Sequence, residues 1–520
     1  IRLVRVREQE ETVVMADPKP EPWGTFLRYR YLRFDFTSVA AEGLYKIRYG
    51  DVESHPFEIS CDIYSRHVWQ PTLEVFLPVQ MCHMRIRDRY KLWHGLCHMD
   101  DALMAPVDSN HFDGYVQGTS TLTHFQSGEH VPGLNIGGWH DAGDYDLRVE
   151  SQADTVYKLA LAYELFGNAY DNTTVDQATR HAELQRPDGK PDLLQQIEHG
   201  LLSVVGGFDA MGRVYRGIIS PTLEQYVHLG DATTMSDNLV YREGESDPIL
   251  NRPLPRDDRL VFTENNPQRE LFVSASLAAA GRVLRKFNPP LAQRSVAVAE
   301  TLFARVAEAP LAHRVHAAAE LYLATSDPVY GSFLRRHTNV MSGDVLRFSE
   351  VLGRTVKKLG DPEFAARAEA AVRETFDSVA RRQKENPFGV PYTPHIWGAG
   401  WGIQSFGVKQ LFLHVDFPGM FPAEYAFNAL NFVLGCHPGE NTASFVSGVG
   451  VHSLLVAYGT NRDEWWYIPG GVASGTALIR PDLPELKVWP YLWQQSEYVL
   501  GGGTADFLLL AMGADWLLNR

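Results

Sequence analysis

Three carboxylates and an imidazole stand within GGWHDAGDYD, residues 137–146: His140, Asp141, Asp144 and Asp146. Aspartate is unfavourable inside helices and strands, so the string is a loop or a helix start. Helix capping accounts for one such carboxylate. It does not account for Asp141 and Asp144 held three apart with Ala-Gly between them. Paired carboxylates on a tight turn can bind a cation or perform acid–base chemistry. Cleavage of a glycosidic bond needs two carboxyl groups. One protonates the leaving oxygen, and the other activates water or attacks the sugar. The donor must keep its proton, which apolar surroundings favour. Glu497 suits that role. It is the one acidic residue of VWPYLWQQSEYVLGGGTADFLLL before Asp506, set among Trp489, Tyr491, Trp493 and Tyr498. The competing reading of Glu497 is a surface or capping residue.

A second set of side chains has the donor types of a closed tetrahedral zinc site. Cys82, Cys97, His98 and His140 offer two thiols and two imidazoles. The alternative is a Cys82–Cys97 disulfide beside two unrelated histidines. Trp397, Trp401, Trp465 and Trp466 lie in aromatic, glycine-rich loops and are candidate sugar platforms, because sugar C–H faces pack on rings. Ordinary packing is their other reading.

The elements that must hold these groups fall into two parts. Over residues 1–62 the pattern is β: YLRFDFT alternates Leu32, Phe34 and Phe36 against Arg33 and Asp35. GLYKIRYGDVESHPFEIS reads as strand, Gly-Asp turn, strand, with Tyr45, Ile47 and Tyr49 on one face. This looks like part of a β-sandwich module lacking its first strands. Over residues 63–520 long helical stretches alternate with loops. DTVYKLALAYELFG ends on the C-cap signal Gly167. ELFVSASLAAAGRVLRKF, LAQRSVAVAETLFARVAEA, HRVHAAAELYLAT, DPEFAARAEAAVRETFDSVARR, AEYAFNALNFVLG and TADFLLLAMGADWLL follow. Roughly ten to twelve helices fit. Antiparallel helix pairs with elaborate loops suggest an α/α toroid with a cleft at one end, an irregular bundle being the alternative.

Bulk properties narrow the partners. The chain has 520 residues, 45% apolar and 21% charged, enough for a sizeable core. A net charge of −15 argues against nucleic acid and is compatible with a neutral ligand. No run of about 18 apolar residues indicates a membrane span. Four cysteines are too few for a disulfide scaffold. A start at Ile1 reads as a processed or trimmed product, with any signal peptide outside the sequence.

HGLCHMDDA, GGWHDAGDYD, FNALNFVLGCHPGENTASFVSGVG and the Glu497 segment, in that order, together resemble glycoside hydrolase family 9. The resemblance covers nearly the whole chain and includes the branch in which a small immunoglobulin-like module precedes the catalytic domain. It implies a mostly α fold: a six-hairpin (α/α)6 toroid over 63–520 after an all-β immunoglobulin-like module over 1–62. It implies inverting hydrolysis of β-1,4-glucans without a catalytic cofactor. By position in the motif Asp144 is the general base, Asp141 the second carboxylate holding the attacking water, and Glu497 the general acid. The branch carries a structural zinc, implied here on Cys82, Cys97, His98 and His140. Calcium also belongs to the family, without ligands that the sequence can place. The expected protein is a secreted or periplasmic monomer acting on β-glucan poly- or oligosaccharide.

The chain departs from the family in one place. Many members carry His-His-Arg after a segment like SYVTG. Here SFVSGVGVHSLLVAYGTNRDEWWYIPGG follows, and Asn461-Arg462 is the expected substitute contact. Internal cutting, as by an endoglucanase, is the leading expectation. Exo action on short β-glucosides or glucosamine oligomers would follow if the long stretch at 104–135 blocks one end of the cleft. A non-catalytic carbohydrate-binding protein is the reading from another class, against which the joint presence of Asp141, Asp144 and Glu497 speaks.

Overall fold

The computed structural model describes residues 1–112, 114–142, 144–220, 236–254, 256–393, 398–438, 442–454, 467–475 and 497–520. The N-terminal part is all β. Strand β1 (Arg2–Val6) lies between β2 (Glu11–Ala16) and β5 (Gly43–Tyr49), antiparallel to both. A hairpin of β3 (Glu21–Phe26) and β4 (Tyr29–Arg33) stands apart, while β6 (Val52–Glu53) and β7 (Phe57–Ile59) pair with β5. The alternation in YLRFDFT runs further than the strand does. β4 ends at Arg33, and Asp35 Oδ1 accepts Thr37 N (2.9 Å) and Thr37 Oγ1 (2.6 Å), closing a side-chain turn. Tyr45 is buried as expected, but Tyr49 at the end of β5 is exposed. The β3–β4 hairpin seats its aromatics on the helical part: Tyr31 meets Phe388 edge-on (5.7 Å), and Phe26 meets Tyr392 (6.3 Å).

The helical part is a ring. Six helices each pack on the next: α2 (Val149–Phe166), α4 (Pro267–Leu284), α6 (Leu311–Thr325), α9 (Val345–Leu359), α11 (Gly400–Asp416) and α13 (Ala505–Leu518), which returns to α2. Outside it lie α1 (Leu77–Gln80), α3 (Asp192–Met211), α5 (Pro289–Arg305), α7 (Pro328–Arg336), α8 (Thr338–Gly343), α10 (Pro362–Arg382) and α12 (Glu424–Val433). α3 packs on α2, α5 on α4, α7 on α6, α10 on α9 and α12 on α11. Trp69, just before α1, donates Nε1 to Asp515 Oδ2 on α13 (3.0 Å). This is the α/α toroid that helix pairs and loops suggest, in the six-hairpin form that the family resemblance implies. Sequence punctuation sets the ends: Gly167 caps α2 at φ +59°, and Asp361 caps α10 by accepting Glu363 N and Phe364 N. In inner α13 residues Ala505–Ala514 are all buried and, Asp506 apart, uncharged, because neighbours cover that part of the helix.

Charged side chains cross the ring's interior. Lys158 on α2 is buried between Glu350 on α9 and Asp506 on α13 (3.3 Å to Asp506). Glu320 on α6 pairs with Arg282 on α4 (2.9 Å) and Arg354 on α9 (2.6 Å), and accepts from Tyr157 on α2 (3.0 Å). Two small sheets complete the helical part. One runs β10 (Leu103–Met104), β15 (Leu260–Phe262), β14 (Gly217–Ile219), β11 (Leu147–Arg148). The other runs β12 (Thr173–Asp176), β13 (His181–Leu184), β8 (Arg85–Arg87), β9 (Leu92–His94).

Candidate active site and metal centre

The GGWHDAGDYD string is the loop that delivers the chain into β11 and then α2. Gly137 and Gly138 take φ +69° and +78°, conformations that favour glycine, and a Cβ on Gly137 would lie 2.4 Å from His199 O. Trp139 is fully buried. Gln152 accepts its N–H (2.8 Å) and donates to its carbonyl (2.9 Å), and Gln196 accepts from its indole (2.8 Å). The ring is thus a packing anchor for the loop. Asp146 is also structural: its Oδ1 accepts Ser220 N (2.9 Å), and its carbonyl accepts Asp141 N (2.9 Å).

Asp141 and Asp144 are both nearly inaccessible, at 6% and 2% exposure, and so is Glu497 at 2%. The sequence-distant Glu497 segment is laced to the loop through the backbone. Leu500 N donates to Asp141 O (2.9 Å), Val499 N donates to Val472 O (2.9 Å), and Ser474 N donates to Glu497 O (3.3 Å). Gly502, at φ +68°, donates its N–H to Asp154 Oδ2 on α2 (2.9 Å). Both ends of the helical part therefore meet at the start of α2. Tyr498 is buried against Phe76 (5.5 Å) and bonds Ser447 through its hydroxyl (2.5 Å), so one aromatic beside Glu497 is core.

Arg148, which sequence reading passed over, stands beside the carboxylate pair: its Nε lies 3.1 Å from Asp141 Oδ2. Burial pushes the Asp141 carboxyl up to about 7. Arg148 opposes the rise, and the neighbouring Asp144 adds to it. The Arg148 guanidinium lies over the Tyr115 ring (5.7 Å), and Arg216 lies over the same ring (4.7 Å). Tyr115 comes from the long 104–135 stretch. With Ala105, Ile219 and Phe262 it forms a small core of its own on the β10–β15–β14–β11 sheet. A local signal for Arg148 existed, a cation four residues after Asp144. No sequence rule placed it on Asp141.

Trp401 begins α11, where its Nε1 is buried. The other proposed sugar contacts, Trp397, Arg462, Trp465 and Trp466, lie outside the described residues, as do Trp489, Tyr491 and Trp493.

Cys82, Cys97, His98 and His140 come together and are all buried; one donor atom from each lies within 4.8 Å of the others. Cys82 and Cys97 are not disulfide-bonded: their sulfurs are 4.0 Å apart. Two thiolates on one zinc would stand about 3.8 Å apart in a tetrahedron. Cys82 Sγ lies 3.6 Å from His98 Nδ1. Neither ring nitrogen of His140 has a hydrogen-bond partner among the described residues. Burial holds the His98 and His140 imidazoles well below the usual range, hence neutral and able to donate a lone pair. Arg259 is fully buried beneath the cluster, donating to Cys82 Sγ (3.1 Å) and to Asp101 Oδ2 (2.6 Å). The four donors thus fit a zinc ion. Such an ion would pin His140 directly beside Asp141, while His140 N is held by Gln80 O (2.8 Å).

A sequence model of glycosyl hydrolase family 9 matches residues 76–458. Endoglucanase D of Acetivibrio thermocellus is 22% identical over 275 residues, 52% of this chain and 36% of that protein, so the match spans about a third of the curated relative. A metagenome-derived family 9 endoglucanase superposes with a TM-score of 0.71 at 22% identity, covering 99% of this chain and 92% of that one. A Zn-binding triple mutant of the family 9 endoglucanase J30 superposes with a TM-score of 0.68 at 19% identity, covering 100% and 96%.

Proposed function

The chain belongs to glycosyl hydrolase family 9, and from that premise we propose that it hydrolyses β-1,4-glucosidic bonds of cellulose-like β-glucans. It does so with inversion, cutting internally. The observation that carries this reading is the Leu500 N–Asp141 O hydrogen bond (2.9 Å), which joins the Glu497 segment to the two-aspartate loop. The similar endoglucanases supply the substrate class.

In the proposed reaction Glu497 gives its proton to the leaving glycosidic oxygen. Glu497 is 2% exposed, which keeps bulk water from the proposed donor. Asp144 takes a proton from water as the water attacks the anomeric carbon from the opposite face. Asp141 holds that water from its second side, with Arg148 favouring its ionised form. Inversion requires acid and base about 6.5–9.5 Å apart, leaving room for the water. Trp397, Trp401, Trp465 and Trp466 are proposed sugar platforms, and Arg462 a polar contact beside the cut.

Zinc on Cys82, Cys97, His98 and His140 would be structural: with four protein donors it leaves no open position for water. Its part is to stiffen the loop behind Asp141. A secreted or periplasmic monomer is the form in which polymer hydrolysis makes sense; among the described residues no helix is long and apolar enough to cross a membrane.

A second reading, exo attack on short oligosaccharides, would need the 104–135 stretch, whose Tyr115 lies under the Arg148 guanidinium, to close one end of the cleft. One experiment separates the readings: incubation with carboxymethyl cellulose and cellohexaose, following viscosity, product sizes and the first-formed anomer by proton NMR. Internal inverting attack gives rapid viscosity loss and the α-anomer first. Slow viscosity loss with one small product supports the exo reading. Initial β-anomer would mean retention, which would overturn the role of Asp144.

A further inference from the structure

We propose that Asp154, on the second turn of α2, is a positioning residue for the reaction: its carboxylate anchors the Gly501–Gly502 turn and so sets the direction in which the Glu497 segment meets the two-aspartate loop. The proposal rests on the reading of Glu497 as the acid. Three consecutive glycines, 501–503, lie between Leu500 and the start of α13. Glycine has the freest backbone of all residues, so this link cannot hold a direction by itself. Gly501 (φ −73°, ψ 145°) and Gly502 (φ +68°, ψ −13°) take the dihedrals of a type II turn. The N–H of the second central residue is not used by such a turn's own hydrogen bond, so it needs an acceptor from elsewhere. Asp154 Oδ2 is that acceptor (2.9 Å).

The anchor is one of a row. Ser151, Asp154 and Lys158 stand at helical spacing on α2 and share one face of it. A hydrogen bond from the Ser151 side chain favours the ionised form of Asp141. A Cβ on Gly501 would lie 3.0 Å from Ser151 Cα, so the serine that bonds Asp141 also lies against the segment of the proposed acid. Lys158 pairs with Asp506 (3.3 Å) in the first turn of α13. It also opposes the rise that burial imposes on the Asp154 carboxyl, which favours an ionised acceptor and a charge-assisted bond to Gly502. Leu500 N on Asp141 O is one point of attachment, and Gly502 N on Asp154 is a second. One point lets a segment pivot, whereas two fix its direction. Inversion needs acid and base about 6.5–9.5 Å apart, and a misplacement of about 1 Å can cost roughly 10²-fold. Asp154 acts only through the backbone that it holds.

The test compares Asp154→Ala with Asp154→Asn, which keeps an acceptor oxygen. Amide hydrogen exchange of the whole protein, followed by mass spectrometry, reads the anchor without reference to activity. Asp154→Ala should speed exchange over residues 499–504 roughly tenfold or more, and Asp154→Asn should not. Kinetics read the consequence. Asp154→Ala should lower kcat on cellohexaose by roughly ten- to a hundredfold, with KM within about twofold of wild type. An aryl cellobioside with a good leaving group needs little help from an acid and should suffer less. Asp154→Asn should keep most of the activity on both substrates. If Asp154→Ala does not fold, Gly501→Ala, whose methyl group pushes the turn off Ser151, is read the same way. Unchanged exchange in Asp154→Ala, or equal losses in Asp154→Ala and Asp154→Asn, overturn the proposal. So does a parallel fall on both substrates, the mark of a merely structural residue. Glu497→Gln, run beside them, keeps the two readings apart. If it spares cellohexaose, the acid assignment fails, and exchange alone still decides whether Asp154 anchors the turn.

Discussion

At the scale of single residues, Asp141 is the point where burial, charge and chemistry conflict. Its folded carboxyl is raised to about 7 by burial, from an ordinary value near 3.8. The folded state therefore holds that proton more tightly than the unfolded chain. Between those two values stability falls as pH rises, and Asp141→Asn should flatten that slope in urea titrations at several pH values. The same group must be ionised to hold water as proposed, so it should set the acid limb of kcat/KM near pH 7. Arg148→Gln removes the opposing cation and should shift that limb upward, whereas Arg148→Lys should restore part of it. A limb that does not move in Arg148→Gln would detach Arg148 from the chemistry. For the proposed acid, Glu497→Gln should lower turnover of an unactivated glucan by roughly 10²–10⁴-fold, and an aryl glucoside with a good leaving group should suffer less. The carboxylates were legible because aspartates spaced on a glycine turn have few other uses. Arg148 and Arg259 were not, because an isolated arginine has no local signature of being buried against a partner far away in sequence.

At the scale of elements, the loop 137–146 is fixed from several directions: glycine conformations at its start, the buried Trp139, Asp146 on Ser220, and Leu500 at Asp141. Gly137→Ala places a methyl group into His199 O at a positive φ. It should destabilise by roughly 2 kcal/mol or more and lower kcat more than it raises KM, as measured by thermal melting beside kinetics. Cys97→Ser should release zinc and lower the melting temperature through loss of a ligand of the folded state. A variant that keeps full zinc by metal analysis would remove Cys97 from the ligand set. Helices were read well where caps mark their ends, as at Gly167 and Asp361. Strand YLRFDFT was read too long, because alternation continued past the point where Asp35 folds the backbone into a turn.

At the scale of the whole molecule, the toroid was legible as a count of amphipathic helices, but its closure was not, since periodicity says nothing about which helix meets which. The buried ions across the ring were equally hidden. Lys158 serves two carboxylates on two other helices, so Lys158→Met leaves uncompensated charge in the core. A loss of about 3–5 kcal/mol is expected in chemical denaturation, larger than for removal of a surface pair such as Arg294–Asp209. Comparable losses in the two variants would show that the interior charges are solvated. The proposed platforms Trp397, Trp465 and Trp466 and the proposed contact Arg462 rest on sequence alone, because they fall outside the described residues.

The return of α13 onto α2 has a consequence for biosynthesis. A ribosome delivers Asp141 and Asp144 early and Glu497 late, and the proposed acid is tied to the loop of the proposed base only when the final inner helix docks beside the first. Every shorter nascent chain is therefore an inert sugar hydrolase precursor. The first turnover of a newly made molecule reports that its ring has shut.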